Sequence, residues 1–236
     1  MRIHTNGRQA VLEHSLISNN GKPDGTPPVI HKRPLITVFG SSQSNLGSRL
    51  YADSFKLGRL LGAAGFDLMT GGYKGVMEAV SSGAHQAGAH VIGITMRRFE
   101  DRVNRYVMDE IRTATFYERF GWLVDRADGY IAMHGGIGTL AEVTFTWQEL
   151  QLQMVPPRPL VLVGERWRRL FQSFRAHLIR TPNIFDPMTL VATPKEALKV
   201  MSAHFASRGA GVTGPLPGDS GDHFAPMKRA RRSASI

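Results

Sequence analysis

The chain has 236 residues, of which 42% are hydrophobic, and a formal net charge of +10. This length and apolar content allow a sizeable buried core and predict one globular domain. Cysteine is absent, which excludes disulfides and thiolate metal sites and suits a reducing compartment. There is no apolar run of about 18 residues and no secretory signal at the start, so we expect a cytoplasmic protein without a membrane partner.

Both ends of the chain are basic and lack sustained apolar periodicity. Residues 1–33 and residues 206–236 each contain five Lys or Arg and two acidic residues, among many Gly and Pro. Their composition predicts a flexible N-terminal segment and a disordered basic tail, which leaves residues 34–205 as the folded domain. The closing "KRARR" is compatible with nucleic-acid binding, but a solvated end is the simpler interpretation, so no nucleic-acid partner is expected.

Short apolar runs alternate with amphipathic stretches between the two ends. The runs predict strands and the stretches predict helices, and their alternation predicts an α/β fold with a mainly parallel sheet covered by helices on both faces. We expect Thr193 to cap the last helix, with Pro194 at its first position. The predicted order is strand 34–40, helix 46–65, strand 66–70, helix 74–87, strands 90–95 and 107–114, helix 116–127, strand 129–133, helix 139–154, strand 158–164, helix 165–179, strand 188–192 and a final helix.

Two glycine-rich loops follow predicted strands. "TGGYKG" spans 70–75 and "HGGIG" spans 134–138. Glycine permits sharp turns and close approach to a ligand, and the amides that open the following helix favour an anion. Because ligands bind at the carboxyl ends of parallel strands, both loops suit a phosphate. No Walker A sequence occurs, so a nucleoside triphosphatase of that type is not expected.

Two other interpretations of the second loop stay open. Gly136, Gly138 and Ala141 fit the Gly-x-Gly-x-x-Ala dinucleotide fingerprint. That fingerprint normally opens the first strand–helix turn, with an acidic residue about 20 positions later, and this loop comes too late in the chain. A dinucleotide-dependent oxidoreductase is therefore the third-ranked hypothesis. Thr139 and Glu142 also fit a capping box, in which both side chains only stabilise the start of a helix.

Three strings of the sequence, "TGGYKGVMEAVSSGA", "FYERF" and "HGGIGTLAE", resemble in this order the motifs of the LONELY GUY (LOG) family, over about residues 34–179. That family comprises Rossmann-like nucleoside 5′-monophosphate phosphoribohydrolases. His134 replaces the proline of the family's Pro-Gly-Gly-x-Gly-Thr-x-x-Glu motif, and Phe120 replaces the lysine of its Arg-Lys pair. The resemblance implies a site formed by Ser41, Ser42, Gly71, Gly72, Gly75, Met77, Glu78, Arg119, Gly135, Gly136, Ile137, Gly138, Thr139 and Glu142.

The resemblance also implies a reaction and an assembly. A nucleoside 5′-monophosphate, AMP or N6-modified AMP, would be hydrolysed to free base and ribose 5-phosphate without cofactor or metal. Glu142 would stabilise the oxocarbenium-like sugar and orient or deprotonate water. Arg119 would bind the phosphate or ribose hydroxyls and keep that glutamate ionised. Family members are dimers, and the apolar stretch 143–154 favours a homodimer or a multiple of it.

The main alternative is a non-catalytic carrier. Relatives of this family with altered site residues include molybdenum-cofactor carriers, so binding of a nucleotide or of that cofactor stays open. The nine histidines form no recognisable metal-ligand spacing, so no metal is expected. Phe116, Tyr117 and Trp122 suit stacking on a base, but their helical spacing favours a place in the core.

Overall fold

The computed structural model describes residues 33–99, 102–179 and 183–209, and it shows seven strands and six helices in those ranges. The strands are separated by helices at every step except between β3 and β4, as the sequence predicts. In chain order the elements are β1 (Leu35–Phe39), α1 (Arg49–Ala63), β2 (Asp67–Thr70), α2 (Val76–Gln86), β3 (Val91–Met96), β4 (Asp109–Thr113), α3 (Phe116–Asp125), β5 (Gly129–Ala132), α4 (Ile137–Gln151), β6 (Leu160–Val163), α5 (Glu165–His177), β7 (Met188–Val191) and α6 (Pro194–Gly209).

The seven strands form one sheet in the order β4-β3-β2-β1-β5-β6-β7. Every neighbouring pair is parallel, and β1 lies between β2 and β5, with Ile36 opposite Leu68 and Val38 opposite Ile131. The chain thus builds outward from β1 to β4 and then returns to the other side of β1. This reversal places a topological switch point between the carboxyl ends of β1 and β5, where ligands bind in sheets of this kind.

The central strands are buried along their whole length because helices cover both faces of the sheet. All five residues of β1 and all six of β3 are buried. Successive side chains of a strand point to opposite faces, so Ile36 joins one core cluster with Leu57 of α1, and Phe39 joins the other with Trp147 of α4. Burial on two faces confirms the Rossmann-like α/β arrangement predicted from the alternation of elements.

The start of the last helix, α6, tests the predicted cap. Thr193 Oγ1 accepts a 3.3 Å hydrogen bond from the Glu196 amide, and Glu196 Oε2 accepts a 2.8 Å bond from the Ala192 amide, which confirms the expected start of α6 at Pro194. Helix α6 ends at Gly209, four residues beyond the boundary that we predicted. The remainder of both terminal segments lies outside the described residues.

None of the helices within the three described ranges is long and apolar enough to cross a membrane. The cytoplasmic location expected from the sequence stays a prediction. The described residues after Lys32 belong to one compact unit, so the candidate site is formed within a single fold.

Candidate functional site

The loops that follow β1, β2 and β5 meet at the switch point. The Ser41 amide donates a 3.3 Å hydrogen bond to the His134 carbonyl, and the Val76 amide donates a 2.8 Å bond to the Ser41 carbonyl. The residues after β1 therefore bridge the two glycine-rich loops that the sequence singled out. All three loops lie at the carboxyl edge of the sheet, where the parallel topology predicts a ligand site.

Gly75 permits the close contact between the first glycine loop and the loop after β1. Its φ angle is +75°, and a Cβ atom there would lie 2.4 Å from the Ser41 carbonyl oxygen. A side chain is thus excluded by both conformation and space. The contact also holds Ser41 and Ser42 at the switch point. Their hydroxyls accept hydrogen bonds from Gln43 at 3.0 and 3.3 Å, which leaves each hydroxyl proton available for a ligand.

Asn104 holds the first glycine loop from the opposite side, and the sequence analysis missed it. The backbone amide of Asn104 donates to the Gly72 carbonyl at 2.8 Å. Its side-chain Nδ2 donates to the carbonyls of Gly72 and Tyr73 at 3.1 and 3.0 Å. The residue is buried. An asparagine side chain has two N–H donors and can satisfy two carbonyls at once, but nothing in the local sequence distinguishes Asn104 from an ordinary loop residue.

Arg119 and Glu142 form a buried ion pair beside the glycine loops. Arg119 Nη1 lies 2.9 Å from Glu142 Oε1, and the two side chains are only 7% and 12% exposed. Arg119 Nε also donates a 3.0 Å bond to the carbonyl of Ile94 within β3. The guanidinium is therefore fixed to both the sheet and α4, and its contact with the carboxylate is a strong charge-assisted hydrogen bond.

The same guanidinium lies against the first glycine loop. A Cβ atom on Gly71 would be 2.1 Å from Arg119 Nη2 and 2.7 Å from Met77 Sδ. Glycine is thus required for Arg119 and Met77 to occupy their positions. The structure brings Gly71, Met77, Arg119 and Glu142 together, as expected for parts of one site.

The capping-box interpretation of Thr139 and Glu142 is wrong. Helix α4 begins at Ile137, not at Thr139, and its N-cap is Gly136, which makes no side-chain capping bond. Thr139 is consequently a buried residue inside the first turn. The Glu142 carboxylate bonds to Arg119 instead of reaching back to a cap amide. An uncapped helix start leaves amides that favour an anion.

The charge state of Glu142 depends on two opposed effects. Burial raises its pKa, and the Arg119 guanidinium and its hydrogen bond oppose that rise. The pKa stays raised because removing the carboxylate from water outweighs one ion pair. Glu142 therefore takes up a proton at a higher pH than an exposed glutamate, a property often found at catalytic carboxylates.

Other residues implied by the resemblance lie around this centre. Gly135 and Gly136 connect β5 to α4, and Ile137 and Gly138 are exposed at the start of that helix. Glu78 lies in the first turn of α2. The negative charge of Glu78 influences the ionisation of Tyr51, Arg105 and Tyr106. Glu78 therefore belongs to a cluster with these three residues, and its described contacts do not include Glu142.

His134 replaces the family proline and lines a cavity of about 210 Å³ beside the second glycine loop. Its Nε2 lies 3.2 Å from Arg166 Nη1. Burial lowers the pKa of His134, and the charge of Arg166 lowers it further, so the imidazole is neutral near pH 7. Helix α5 thus contributes one cation, Arg166, near the loop. The cavity is lined by His134, Gly135, Gly136, Ile137, Leu140, Arg166, Trp167 and Leu170.

Three aromatic residues of α3 lie outside the core, so the interpretation that their helical spacing places them in the core is wrong. Phe116, Tyr117 and Trp122 are all exposed. Phe120, which replaces the family lysine, packs its ring against Phe145 of α4 at a centroid distance of 5.2 Å. Within the described ranges, no cluster of three or more His, Cys, Asp or Glu side chains has the geometry to hold a metal ion.

Solved structures share this fold. The molybdenum cofactor binding protein from Rippkaea orientalis superposes with a TM-score of 0.61 at 24% identity, over 74% of this chain and 98% of that one. The molybdenum cofactor carrier protein from Chlamydomonas reinhardtii gives 0.58 at 23% identity, over 74% and 99%. At this identity the likeness supports the architecture.

Sequence relatives identify the family. A protein of Oryza sativa subsp. japonica named "Probable cytokinin riboside 5'-monophosphate phosphoribohydrolase LOGL6" is 31% identical over 180 residues, which are 72% of this chain and 70% of that protein. The phosphoribohydrolase LOG of the same plant is 34% identical over 130 residues, and the match spans 53% of its length. The sequence model described as the SLOG cluster4 family matches residues 33–156. The chain therefore belongs to the LOG family, in the group described as SLOG cluster4.

Proposed function

We propose that this protein is an enzyme that hydrolyses the N-glycosidic bond of a nucleoside 5′-monophosphate, AMP or an N6-modified AMP, to free base and ribose 5-phosphate. The observation that supports it best is the buried ion pair of Arg119 and Glu142 beside two glycine loops at the switch point. Relatives named as phosphoribohydrolases at 31% and 34% identity support the same reaction.

The 5′-phosphate would bind at the start of α4. This helix has no side-chain cap, so the amides after Gly136 are free to donate to a phosphate, with the positive end of the helix dipole behind them. The hydroxyls of Ser41 and Ser42 supply further donors from the facing loop. A phosphate held here would anchor the ribose, so the proposal predicts a preference for monophosphates over nucleosides.

Glu142 would act on the sugar. When the bond between C1′ and the base nitrogen breaks, its electron pair leaves with the base and positive charge develops on the ribose. The carboxylate stabilises that charge and accepts a proton from the water whose oxygen bonds to C1′. The departing base nitrogen takes up a proton from solvent, and Glu142 returns its proton to solvent, so the net reaction consumes one water. Arg119 holds the carboxylate in place and favours its ionised form. No cofactor takes part in this scheme.

Two other functions have less support. A non-catalytic nucleotide or molybdenum-cofactor carrier would use the same fold, but the two carriers are similar at only 23–24% identity, whereas the two phosphoribohydrolases described above are 31% and 34% identical. A dinucleotide-dependent oxidoreductase would place its fingerprint after the first strand. Here Gly136, Gly138 and Ala141 follow the fifth strand.

The direct test is to incubate the protein with AMP, N6-substituted AMP, GMP, CMP and adenosine and to separate the products by chromatography. We expect free base and ribose 5-phosphate from the purine monophosphates, little reaction with adenosine, and a rate lower by a factor on the order of 10² or more with the Glu142→Gln variant. Saturable binding of AMP without release of base would identify a carrier and overturn the hydrolase.

We also propose that the protein assembles as a homodimer or a multiple of one, without nucleic-acid or membrane partners. Leu152 and Met154, at and after the end of α4, are exposed, together with Trp122 of α3. Large exposed apolar side chains on neighbouring elements are typical of an interface. Light scattering at micromolar concentration should give at least twice the chain mass of 26.0 kDa, and a purely monomeric species would contradict the proposal.

A further inference from the structure

Five aromatic rings form a continuous wall beside the ion pair. We define the aromatic wall as Tyr73, Phe99, Phe116, Phe120 and Phe145. Successive ring centroids are 5.7, 6.0, 6.1 and 5.2 Å apart, which is the range of favourable aromatic contact. Each ring is thus supported by its neighbours, and the wall is held together without a ligand.

The wall begins at the carboxyl edge of the sheet. Tyr73 belongs to the glycine loop after β2, Phe99 follows β3, and Phe116 is the first residue of α3, which follows β4. The Tyr73 hydroxyl accepts a 2.7 Å hydrogen bond from the Met96 amide, which fixes that end of the wall. These rings therefore lie at the same edge as the loops of the proposed phosphate site.

The wall then continues past the ion pair. Phe120 is adjacent to Arg119 on α3, and Phe145 lies one helical turn after Glu142 on α4. Phe116 lies three residues before Arg119 and four before Phe120, so it neighbours both side chains on the surface of α3. A ligand whose sugar contacts Glu142 would therefore have an aromatic surface within reach of its base.

Only part of the wall is accessible. Tyr73 is buried, and Phe120 and Phe145 are half-buried, but Phe99 is 39% exposed and Phe116 is 51% exposed. Two supported rings thus present free surface at the edge of the site. Exposed aromatic surface on a rigid support is suited to binding a flat apolar ligand, because little conformational entropy is lost on contact.

We propose that the aromatic wall binds the base of the nucleotide, with Phe99 and Phe116 stacking on it and Phe120 making the adjoining surface apolar and neutral. Phe120 packs against Phe145 and carries no charge, so this part of the wall offers the base an apolar contact and no cation. Stacking area favours the two rings of a purine over the single ring of a pyrimidine. This inference rests on the nucleotide substrate of the proposed function, but not on catalysis.

Calorimetric titration of the full chain tests the proposal. The Glu142→Gln variant is used as the background, so that AMP is not consumed, and AMP, CMP and ribose 5-phosphate are the probes. AMP should bind at least ten times more tightly than ribose 5-phosphate, and more tightly than CMP. Adding Phe116→Leu, which keeps an apolar side chain without a ring, should remove most of the AMP advantage and leave ribose 5-phosphate binding unchanged. Phe99→Leu should act in the same direction.

Tyr117→Leu is the matched control, because Tyr117 is the next residue of α3 and is 85% exposed outside the wall. It should leave all three affinities unchanged. Unchanged AMP binding in both Phe variants would overturn the proposal, and so would an equal loss for AMP and ribose 5-phosphate.

Other outcomes separate the base site from its alternatives. A change in mass by light scattering for Phe116→Leu, without a change in base preference, would show that a second copy of the chain covers the wall and would overturn the proposal. Absence of any AMP binding would overturn both the wall and the proposed function. If the unmodified chain hydrolyses no nucleotide but the AMP advantage depends on Phe116, only the proposed reaction fails.

Discussion

Arg119 of α3 and Glu142 of α4 form a 2.9 Å ion pair between helices that lie on either side of β5 in the chain. The pair is buried, and Arg119 is fixed by the carbonyl of Ile94 within β3. Because a second polar contact orients the guanidinium, the carboxylate of Glu142 has a defined position at the carboxyl edge of the sheet. A preorganised charge of this kind can act on a developing cation without further rearrangement.

Replacing Glu142 by Gln tests the role of that charge. The Gln side chain keeps an oxygen that can accept from Arg119, so the fold and the affinity for ribose 5-phosphate should persist. Turnover of AMP should fall by a factor on the order of 10² or more, because the positive charge on the ribose loses its partner. The rate of base release from AMP, measured by chromatography, shows whether turnover needs the charge of Glu142. A variant as fast as the unmodified protein would remove Glu142 from the mechanism.

Removing Arg119 should destabilise the fold. Arg119→Met leaves the buried Glu142 carboxylate without its ion-pair partner, which costs about 3–5 kcal/mol when a buried pair is broken. Denaturant unfolding at pH 8 measures the loss. The double variant Arg119→Met/Glu142→Gln should recover part of it, since no buried charge is left unpaired. If Glu142→Gln changes the stability by the same amount with and without Arg119, the pair is not energetically coupled.

The pH dependence should reveal the raised pKa of Glu142. An acid whose pKa is raised in the folded state binds more protons there than in the unfolded state. Protonated Glu142 therefore stabilises the fold below its ordinary pKa of 4.5. That contribution is lost as the pH rises through the pKa of the folded state. Activity needs the ionised form and should rise over that same range. The acidic limb of the kcat/KM profile should lie above pH 4.5. In the Glu142→Gln variant, the corresponding slope in stability should be absent.

Gly71→Ala should displace Arg119. The new methyl group would lie 2.1 Å from the present position of Arg119 Nη2, so the guanidinium must move and its contact with Glu142 must weaken. We expect activity to fall at least tenfold, as when a catalytic group is misplaced by about 1 Å. Gly121→Ala on α3 is the control, because its Cβ would meet only Asp125 at 3.6 Å. That variant should keep its activity and gain about 0.5–1 kcal/mol of stability.

Asn104→Ala should loosen the first glycine loop. The Tyr73 carbonyl would lose the Nδ2 donor at 3.0 Å, while the Gly72 carbonyl would keep the Asn104 amide at 2.8 Å. Leaving a buried carbonyl without this donor costs about 1–3 kcal/mol. Gly71 and Gly75 belong to the same loop, which we expect to bind the substrate. A looser loop should weaken substrate binding, so KM should rise more than kcat falls. An unchanged melting temperature together with unchanged kinetics would show that Asn104 does not hold the loop.

Much of the fold follows from local features of the sequence. The apolar run 34–40 predicts β1 because a strand covered on both faces is apolar at every position, and all of its residues are buried. Thr193 and Pro194 predict the start of α6 because a cap and a first-turn proline act within a few residues. The motifs around Gly71 and Gly135 likewise show which loops adjoin the site.

Only the tertiary structure showed that Glu142 pairs with Arg119 and does not cap α4. Its spacing from Thr139 fits a cap equally well, and the choice depends on Arg119, which is 23 positions away in the chain and reaches it only after α3 and α4 pack on the sheet. The clamp made by Asn104 and the wall that joins Phe99 to Phe145 arise in the same way. The sequence by itself determines the strands, the helices and the cap of α6 because those interactions are local. Contacts between distant elements form only when burial of the sheet brings them together.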